Sequence, residues 1–443
     1  MLSNILDQTK IDDSLEVICS SQAVTYWHEL RSTYETILSQ TTVAAGTRIG
    51  FLFSASSVGF AGIAALEKRS ANVFLFDANV AADRLEQIAD ELDLKVCISA
   101  ETLFSEGLNS ADSTGDSAGG ITILTSGTSG KPKAVHHDFS SLVRPVRQTD
   151  PGQRWLLAYP PHLYAGLQVT LQALTNYGTL VIPAAGSDPQ SIAKVMSERS
   201  VEFASATPSY WRRLLMAVPP DDLASIPIQQ ITLGGEVVDQ TILNQLRACF
   251  PNARIVHIYA TSETGRCFSV SDGDAGFPLN LLDAPGNDGV SLRIVDDELQ
   301  VKSANSMSGY DTKSEAPSDR VTDDGWFRTG DLVEVRGQRV YFSGRASDMI
   351  NVGGNKVHPI EVERTLRMLD EVAEVRVYSQ ASSLAGELVA CDVVATDKSL
   401  APDLIRTRIM EHCNQALDRY QRPRIVRVLD KLDLSDAGKL KRR

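Results

Sequence analysis

The stretch from Thr125 to Lys133 combines four hydroxyl side chains, two glycines and two lysines around a proline. Successive backbone N–H groups in such a turn bind anions, hydroxyls add donors, and a lysine adds a positive charge. The nucleotide-binding pattern G-x-x-x-x-G-K-[ST] is not met, because Pro132 stands where its second glycine is required. The sequence therefore predicts a phosphate-binding loop of another type, and a flexible Gly/Ser linker is the alternative.

Further chemistry-bearing residues lie at the end or the start of predicted strands later in the chain. Tyr259 and Glu263 lie in IYATSETG, and Asp331 lies in GWFRTGDL. An aromatic face can stack on a base, and a carboxylate beside phosphates can hold Mg²⁺. A carboxylate at a strand start can accept hydrogen bonds from ribose hydroxyls. The alternatives are a solvent-exposed loop acid for Glu263 and an ordinary turn aspartate for Asp331.

The elements that must position these residues follow an α/β pattern. Short apolar strands alternate with helices through 48–99 and 200–263, as in parallel βα sheets with function at the strand ends. The region 285–345 is typical of hairpins, and an α+β pattern runs from there to the C-terminus. We expect a large N-terminal domain of parallel βα sheets with a β-barrel-like part, and a small mobile α+β C-terminal domain. The predicted boundaries are 1–344, a hinge at 345–347, and 348–443.

Composition excludes several classes of protein. The 443 residues are 43% hydrophobic and 22% charged, an ordinary globular mixture. A formal net charge of -13 argues against nucleic acid as a partner. The six cysteines form no C-x-x-C pair, so neither a zinc site nor a disulfide framework is expected. With no signal-peptide pattern at the start and no long apolar run, we expect no membrane association and a cytoplasmic location.

The motifs gain meaning from their order. T-S-G-T-S-G-K-P-K, Y-A-T-S-E, W-F-R-T-G-D, G-R-A-S-D and a late G-K follow one another between Arg48 and Lys439. This series resembles the acyl-adenylate-forming (AMP-binding) superfamily, and within it the acyl- and aryl-CoA ligases. The resemblance implies that a carboxylate attacks the α-phosphate of ATP, giving acyl-AMP and pyrophosphate, and that a thiol then takes the acyl group. It implies ATP, Mg²⁺ and CoA (or phosphopantetheine) as cofactors.

The resemblance also assigns nucleotide-site residues by motif. The β- and γ-phosphate loop comprises Thr125, Ser126, Gly127, Thr128, Ser129, Gly130 and Lys133. The adenine and α-phosphate neighbours are Gly234, Gly235, Glu236, Tyr259 and Ser262. The ribose residues are Asp331 and Arg345, and the Mg²⁺ ligand is Glu263. The catalytic groups are Lys439, Glu263 and Thr128, with Lys439 reaching the carboxylate and the α-phosphate oxygen.

The resemblance implies that the C-terminal domain swings between the two half-reactions. Gly353 and Gly354 then line the thiol tunnel. The hinge falls at Ser347, where relatives usually have Asp or Lys, and the neighbouring Asp348 is an alternative pivot.

The segment AYPPHLYAGLQ aligns with a substrate-pocket motif, aromatic-His-x-x-Gly. His162 lies four residues before Gly166, one more than this spacing, so His162 or Tyr164 is the expected gate. A histidine at the edge of the core is the alternative for His162. The remaining expected pocket residues are Tyr210, Gly234 and Ala260.

Amino-acid-activating relatives use an aspartate in this segment, and none lies between Trp155 and Leu174. We therefore expect an acid without an α-amino group, either aryl or alkyl. The expected partners are this small carboxylic acid and CoA or an acyl carrier protein, with a homodimer as one oligomeric option. The alternatives are a ligase that loads a carrier protein, an amino-acid-type adenylation enzyme, and a catalytically dead nucleotide-binding relative.

Overall fold

The fold is described from a computed structural model. It describes residues 1–8, 12–20, 23–110, 119–126, 132–283, 286, 289–311, 320–382, 386–435 and 438–441. Among these residues, no helix is both long and apolar enough to cross a bilayer. All six cysteines are free thiols.

The first third of the chain alternates short apolar strands with helices. Helix α3 begins after a capping residue, because the Ser56 hydroxyl accepts a hydrogen bond from the Gly59 N–H in the first turn. The elements are α1 (Leu2–Leu6), β1 (Glu16–Ser20), β2 (Val24–Tyr26), α2 (Trp27–Gln40), β3 (Thr41–Val43), β4 (Arg48–Phe53), α3 (Ser57–Lys68), β5 (Asn72–Asp77), α4 (Ala82–Glu91), β6 (Val96–Ser99), α5 (Ala100–Glu106), β7 (Leu108–Ser110), β8 (Gly120–Ser126), β9 (Pro132–Asp138) and α6 (Phe139–Val143).

The second stretch repeats the alternation. Thr207 caps helix α9 by accepting a hydrogen bond from the Tyr210 N–H, and Pro208 occupies its first turn. The elements are β10 (Arg154–Leu157), α7 (Tyr164–Thr175), β11 (Thr179–Ile182), α8 (Pro189–Glu198), β12 (Phe203–Ala206), α9 (Pro208–Ala217), α10 (Pro220–Ala224), β13 (Gln230–Leu233), α11 (Gln240–Cys249), β14 (Arg254–Thr261) and β15 (Gly265–Val270).

The third stretch consists mainly of hairpin strands, as the sequence predicted. Its elements are β16 (Phe277–Pro278), a 3-10 turn (Leu279–Leu282), β17 (Val290–Val295), β18 (Glu298–Ser303), β19 (Gly309–Tyr310), β20 (Phe327–Arg336), β21 (Arg339–Arg345) and a second 3-10 turn (Ala346–Asp348). The C-terminal elements are β22 (Ile350–Val352), β23 (Asn355–Val357), α12 (Pro359–Leu366), β24 (Val372–Ser382), β25 (Gly386–Ala395), α13 (Pro402–Ala416) and β26 (Ile425–Leu429).

Two large sheets form the α/β body. The first has the strand order β15-β14-β13-β12-β10-β11-β1-β2 and is parallel from β14 to β1. The second has the order β19-β9-β8-β5-β4-β6 and is parallel from β8 to β6. One hydrophobic core includes buried residues of both sheets and of α3 and α7, such as Phe51, Ile63, Leu157 and Leu171. The predicted α/β class is thus confirmed.

Three smaller sheets complete the described fold, and one of them is the parallel pair of β3 and β7. Strands β16, β21, β20, β18 and β17 form an antiparallel sheet, which is the expected β-barrel-like part. Strands β22 to β26 form the sheet of the C-terminal part, and a separate core that includes Ile350, Val377 and Ile409 lies against it. Hereafter, residues 1–344 are called the larger part and residues 348–443 the C-terminal part. The exact domain boundaries stay a prediction.

Candidate active site

Tyr259 and Arg345, which come from separate motifs, both contact the carboxylate of Asp331. The Tyr259 hydroxyl on β14 donates to Asp331 Oδ2 at 2.5 Å, and Arg345 Nε donates to Asp331 Oδ1 at 2.9 Å. The β20–β21 register places Asp331 directly opposite Arg345. Asp331 is largely buried, whereas Arg345 remains exposed. The two motifs assigned to ribose therefore converge with the one assigned to adenine.

The Tyr259 ring is held by aromatic neighbours. Its centroid lies 5.4 Å from that of Phe268 and 4.9 Å from that of Phe342. Burial raises the pKa of the Tyr259 hydroxyl well above its ordinary value, and the Asp331 charge raises it further. The hydroxyl therefore stays protonated and remains a donor to Asp331.

Lys439 reaches the Gly234–Glu236 run from the C-terminal part. Gly235 has φ +82°, and a Cβ added to it would lie 3.2 Å from Lys439 Cε and 3.9 Å from its Nζ. The positive φ favours glycine at this position, and a larger residue would displace the lysine side chain by a few tenths of an ångström. The structure thus brings together the lysine and the glycine run that the sequence predicted for one site.

Hydrogen bonds on either side of Lys439 hold it there. Thr207 Oγ1 donates to the Gly438 carbonyl at 2.8 Å. Glu236 Oε1 accepts from the Leu440 N–H at 2.8 Å, and its Oε2 accepts from the Ser209 N–H at 2.9 Å. Glu236 was expected beside adenine, and here it joins helix α9 to the lysine-bearing segment.

The side chains around Lys439 carry charges of both signs. Desolvation by the surrounding protein lowers the pKa of Lys439, and the Arg345 charge lowers it further, against Glu236, Asp331 and Glu263. The lysine side chain is nevertheless solvent-exposed.

Lys133 belongs to the same electrostatic neighbourhood. Burial lowers its pKa, as do Arg320 and Arg345, whereas Glu263 raises it. Arg320 was not singled out from the sequence. Its Nη1 donates to the Arg328 carbonyl at 3.1 Å, which places it beside the strand that carries Asp331.

The turn that carries Ser262 and Glu263 is anchored by residues that the sequence did not reveal. His137 Nε2 lies 2.7 Å from the Ser262 carbonyl, and the Tyr310 hydroxyl donates to Glu263 Oε1 at 3.1 Å. The Met307 N–H donates to the Glu263 carbonyl at 2.7 Å. His137 and Tyr310 are visible in the sequence, but their hydrogen-bond partners lie more than 45 residues away along the chain.

Glu263 fits the expected Mg²⁺ ligand. Among the described residues, no group of three or more His, Cys, Asp or Glu side chains could hold a metal by itself. Mg²⁺ commonly binds through one or two carboxylates together with substrate phosphates and waters. A single carboxylate facing Lys133 and Lys439 is compatible with that mode.

The ends of the predicted phosphate loop are in place. Thr125 pairs with Lys133, and Ser126 pairs with Pro132, across the antiparallel strands β8 and β9. Thr125 Oγ1 donates to the Lys133 carbonyl at 3.5 Å. The intervening Gly127, Thr128, Ser129 and Gly130 lie outside the described residues. The loop thus joins two antiparallel strands, whereas a P-loop joins a strand to a helix.

The predicted pocket residues lie on several elements. Tyr164 is buried at the start of α7, with its ring centroid 5.5 Å from that of His137. A Cβ on Gly166 would lie 2.1 Å from the Pro160 carbonyl oxygen, so glycine is required for the close approach of α7 to this loop. His162 Nδ1 lies 3.8 Å from Asp77 Oδ2, at the end of β5.

The other pocket residues border the glycine run. Gly234 packs beside Ile258, and Ala260 follows Tyr259 on β14. The Tyr159 hydroxyl, which the sequence did not single out, donates to the Gly234 carbonyl at 3.2 Å. Tyr210 follows the α9 cap, and burial raises the pKa of its hydroxyl.

The expected tunnel and hinge residues lie in exposed turns. Gly353 (φ +58°) and Gly354 (φ +88°) join β22 to β23, and a Cβ on either would meet nothing within 4 Å. Ser347 lies in the turn Ala346–Asp348, where its hydroxyl donates to Asp348 Oδ1 at 3.0 Å. Their roles stay predictions.

Comparison with known proteins gives a consistent picture. The AMP-binding enzyme model matches residues 120–310, and the AMP-binding enzyme C-terminal domain model matches 361–439. A 4-chlorobenzoate–CoA ligase of Arthrobacter sp. is 30% identical over 347 residues, 73% of this chain and 65% of that protein. The long-chain-fatty-acid–CoA ligase FadD13 of Mycobacterium tuberculosis is 28% identical, over 72% of this chain and 65% of that protein. The chain therefore spans 65% of the length of these curated relatives.

Solved structures share the fold. An anthranilate CoA ligase, AuaEII, in complex with anthranoyl-AMP superposes with a TM-score of 0.82 at 15% identity, covering 99% of this chain and 95% of that chain. ATP-bound MatB from Rhodopseudomonas palustris gives 0.79 at 20% identity, covering 99% and 96%. The two family models together span more than half of the sequence, from the phosphate loop to Lys439. The chain belongs to the AMP-binding enzyme family.

Proposed function

We propose that this chain is an AMP-forming acid–thiol ligase, which activates a carboxylic acid with ATP and transfers the acyl group to CoA. One observation carries the proposal: Lys439 lies beside Gly235, in electrostatic reach of Arg345, Asp331 and Glu263. A cation delivered from the C-terminal part to the predicted ATP site suits the joining of two anions.

In the first half-reaction, Asp331 accepts hydrogen bonds from the ribose hydroxyls. Tyr259 and Arg345 fix its carboxylate for that role. A carboxylate oxygen of the acid attacks the α-phosphorus, the bond to the β-phosphate oxygen breaks, and pyrophosphate leaves. Lys439 neutralises the two approaching anions and stabilises the charge that develops on the α-phosphate. Glu263 would hold Mg²⁺, which neutralises phosphate charge when bound.

In the second half-reaction, the CoA sulfur attacks the acyl carbon. The bond to the AMP oxygen breaks, AMP leaves, and the thiol proton passes to solvent. We propose that the C-terminal part rotates about Ser347 or Asp348 between the steps, so that the Gly353–Gly354 turn approaches the thiol. The exposure of Ser347, Gly353 and Gly354 supports this role, and a Cβ on either glycine would meet nothing within 4 Å.

The substrate is proposed as an aryl or alkyl acid without an α-amino group. The relatives are named for 4-chlorobenzoate, 2-succinylbenzoate and long-chain fatty acids. Residues Trp155 to Leu174 contain no carboxylate that could pair with an ammonium group. CoA is favoured as acceptor because these relatives are CoA ligases.

The test is product analysis with ATP, Mg²⁺, a panel of aryl and alkyl acids, and either CoA or a phosphopantetheinylated carrier protein. We expect acyl-CoA and AMP in equal amounts, with no acylated carrier protein. If thioester forms only on the carrier protein, the chain is instead a ligase that loads a carrier protein. ADP in place of AMP would contradict adenylation altogether.

A further inference from the structure

A buried group of charged side chains joins the two parts of the chain, and the chemistry above does not use it. We call Arg212, Asp239, Glu363 and Arg367 the ionic cluster. The first two belong to the larger part and the last two to the C-terminal part. Buried charges are costly unless paired, so their arrangement calls for an explanation.

The larger part contributes one ion pair, Arg212 and Asp239, whose charges cancel. Arg212 Nη2 on α9 donates to Asp239 Oδ2 at 2.6 Å, and the exposed fractions of the two side chains are 6% and 9%. Asp239 Oδ1 also accepts from the Ile242 N–H at 3.0 Å, because Asp239 caps helix α11. The aspartate is thus fixed from its own side of the interface.

The C-terminal part contributes a second such pair. Arg367 Nη2 lies 3.5 Å from Glu363 Oε2 and donates to the Val375 carbonyl at 3.1 Å. Glu363 Oε1 accepts from the Val377 N–H at 3.0 Å. This arginine is therefore oriented by its own sheet and helix.

The two pairs meet across the interface. Arg367 Nη1 lies 3.6 Å from Asp239 Oδ2, the oxygen that Arg212 also contacts. If the parts separate, this cross-contact breaks, but each arginine keeps a carboxylate on its own side. Opening therefore leaves neither arginine without a carboxylate, which limits the main cost of breaking a buried ion pair. The buried Glu374 on β24 does lose the charges of Arg212 and Arg213, which belong to the larger part. Such a contact can form and break repeatedly.

The ionic cluster is connected to the lysine site. Asp239 follows Glu236 by three residues, and Glu236 accepts from the Leu440 N–H. Arg213, the neighbour of Arg212, donates to the Leu432 carbonyl. Helix α9 and the segment 234–239 therefore hold both the ionic cluster and the chain around Lys439.

We propose that the ionic cluster is a reversible clasp for the orientation in which Lys439 enters the ATP site. Asp239 and Arg367 are then positioning residues for acyl-AMP formation, and they act through Lys439. This inference rests on the proposed function for its kinetic consequence and on geometry alone for its conformational one.

The kinetic test uses Asp239→Asn, which keeps the helix cap and the side-chain shape but removes the charge. ATP–pyrophosphate exchange should fall about tenfold, which is a coupling of about 1.4 kcal/mol. Thioester formation from supplied acyl-AMP should be unchanged or faster, because it does not use Lys439. Arg367→Lys keeps the charge and should retain most of the exchange activity. Equal loss of both steps in Asp239→Asn would indicate a merely structural role and overturn the proposal.

The matched control is Glu16→Gln. Glu16 Oε2 pairs with Arg154 Nη2 at 2.8 Å, and both residues belong to the larger part. The same change from carboxylate to amide should alter neither step selectively. A selective loss of exchange in this control would show that any lost ion pair has the effect, and would overturn the proposal.

A second readout does not depend on activity. Spin labels on native Cys97, which is exposed, and on Leu404→Cys in a Cys249→Ser background report the distance between the two parts. Asp239→Asn should broaden the distance distribution toward longer values. An unchanged distribution would overturn the clasp even if the wild-type chain catalyses exchange. A broadened one without any exchange would retain the clasp and reject the proposed function.

Discussion

The pKa of Lys439, which belongs to the C-terminal part, depends on charged groups of the larger part and on Arg345. Loss of solvation and the Arg345 charge disfavour its protonated form, and the carboxylates of Glu236, Asp331 and Glu263 favour it. The net result is a lowered pKa.

This environment predicts the pH dependence of the first half-reaction. The step needs the ammonium form, which is lost as pH rises through the lowered pKa of Lys439. The kcat/KM for ATP in pyrophosphate exchange should therefore begin to decline at a pH below 10.5, which is the ordinary pKa of lysine. Thioester formation from supplied acyl-AMP is the control and should lack this decline. An identical decline in both steps, or one that begins only above 10.5, would contradict the assigned role.

At the level of elements, the site depends on backbone that approaches the lysine closely. The segment after β13 places Gly235 against Lys439 at a positive φ that costs other residues about 1–2 kcal/mol. Gly235→Ala should therefore lower stability modestly and lower pyrophosphate exchange by a larger factor, because the added methyl displaces the lysine. Thermal unfolding and exchange rates, measured together, separate the two effects.

Gly152→Ala is the matched control for that substitution. Gly152 has φ +78°, and a Cβ there would meet nothing within 4 Å. It should show the stability loss alone. If both variants lose exchange activity to the same extent, backbone strain rather than contact with Lys439 explains the result.

The elements also show which parts of the site the sequence could reveal. Tyr259 lies near the end of β14 and Gly235 lies just after β13, within short, recognisable motifs, so their elements were predictable from apolar patterning. Asp331 was expected at the start of a strand and instead lies within β20, because pairing with β18 extends the strand back to Phe327. His137, Tyr310 and Tyr159 contact the site only through pairing between distant segments. Each is an ordinary residue within its own strand or loop, and local spacing carries no sign of its partner.

For the whole molecule, the alternation of short apolar strands and helices predicted the α/β architecture, and the resemblance carried by the motif order placed the lysine in the C-terminal part. The interface between the two parts was not predictable. Arg212, Asp239 and Arg367 look like solvent-exposed charges on amphipathic helices, and only the packing of α9 against the C-terminal part buries them. Long-range burial of this kind leaves no periodic signal in one sequence.

The measurement that tests the account most directly is ATP–pyrophosphate exchange with aryl, short, medium and long-chain acids and amino acids, in the wild type and in Lys439→Ala. We predict exchange with one group of acids that lack an α-amino group. Lys439→Ala should reduce it on the order of 10²–10³-fold while sparing thioester formation from supplied acyl-AMP. Exchange that survives Lys439→Ala, or ATP binding without exchange for any acid, would contradict the account.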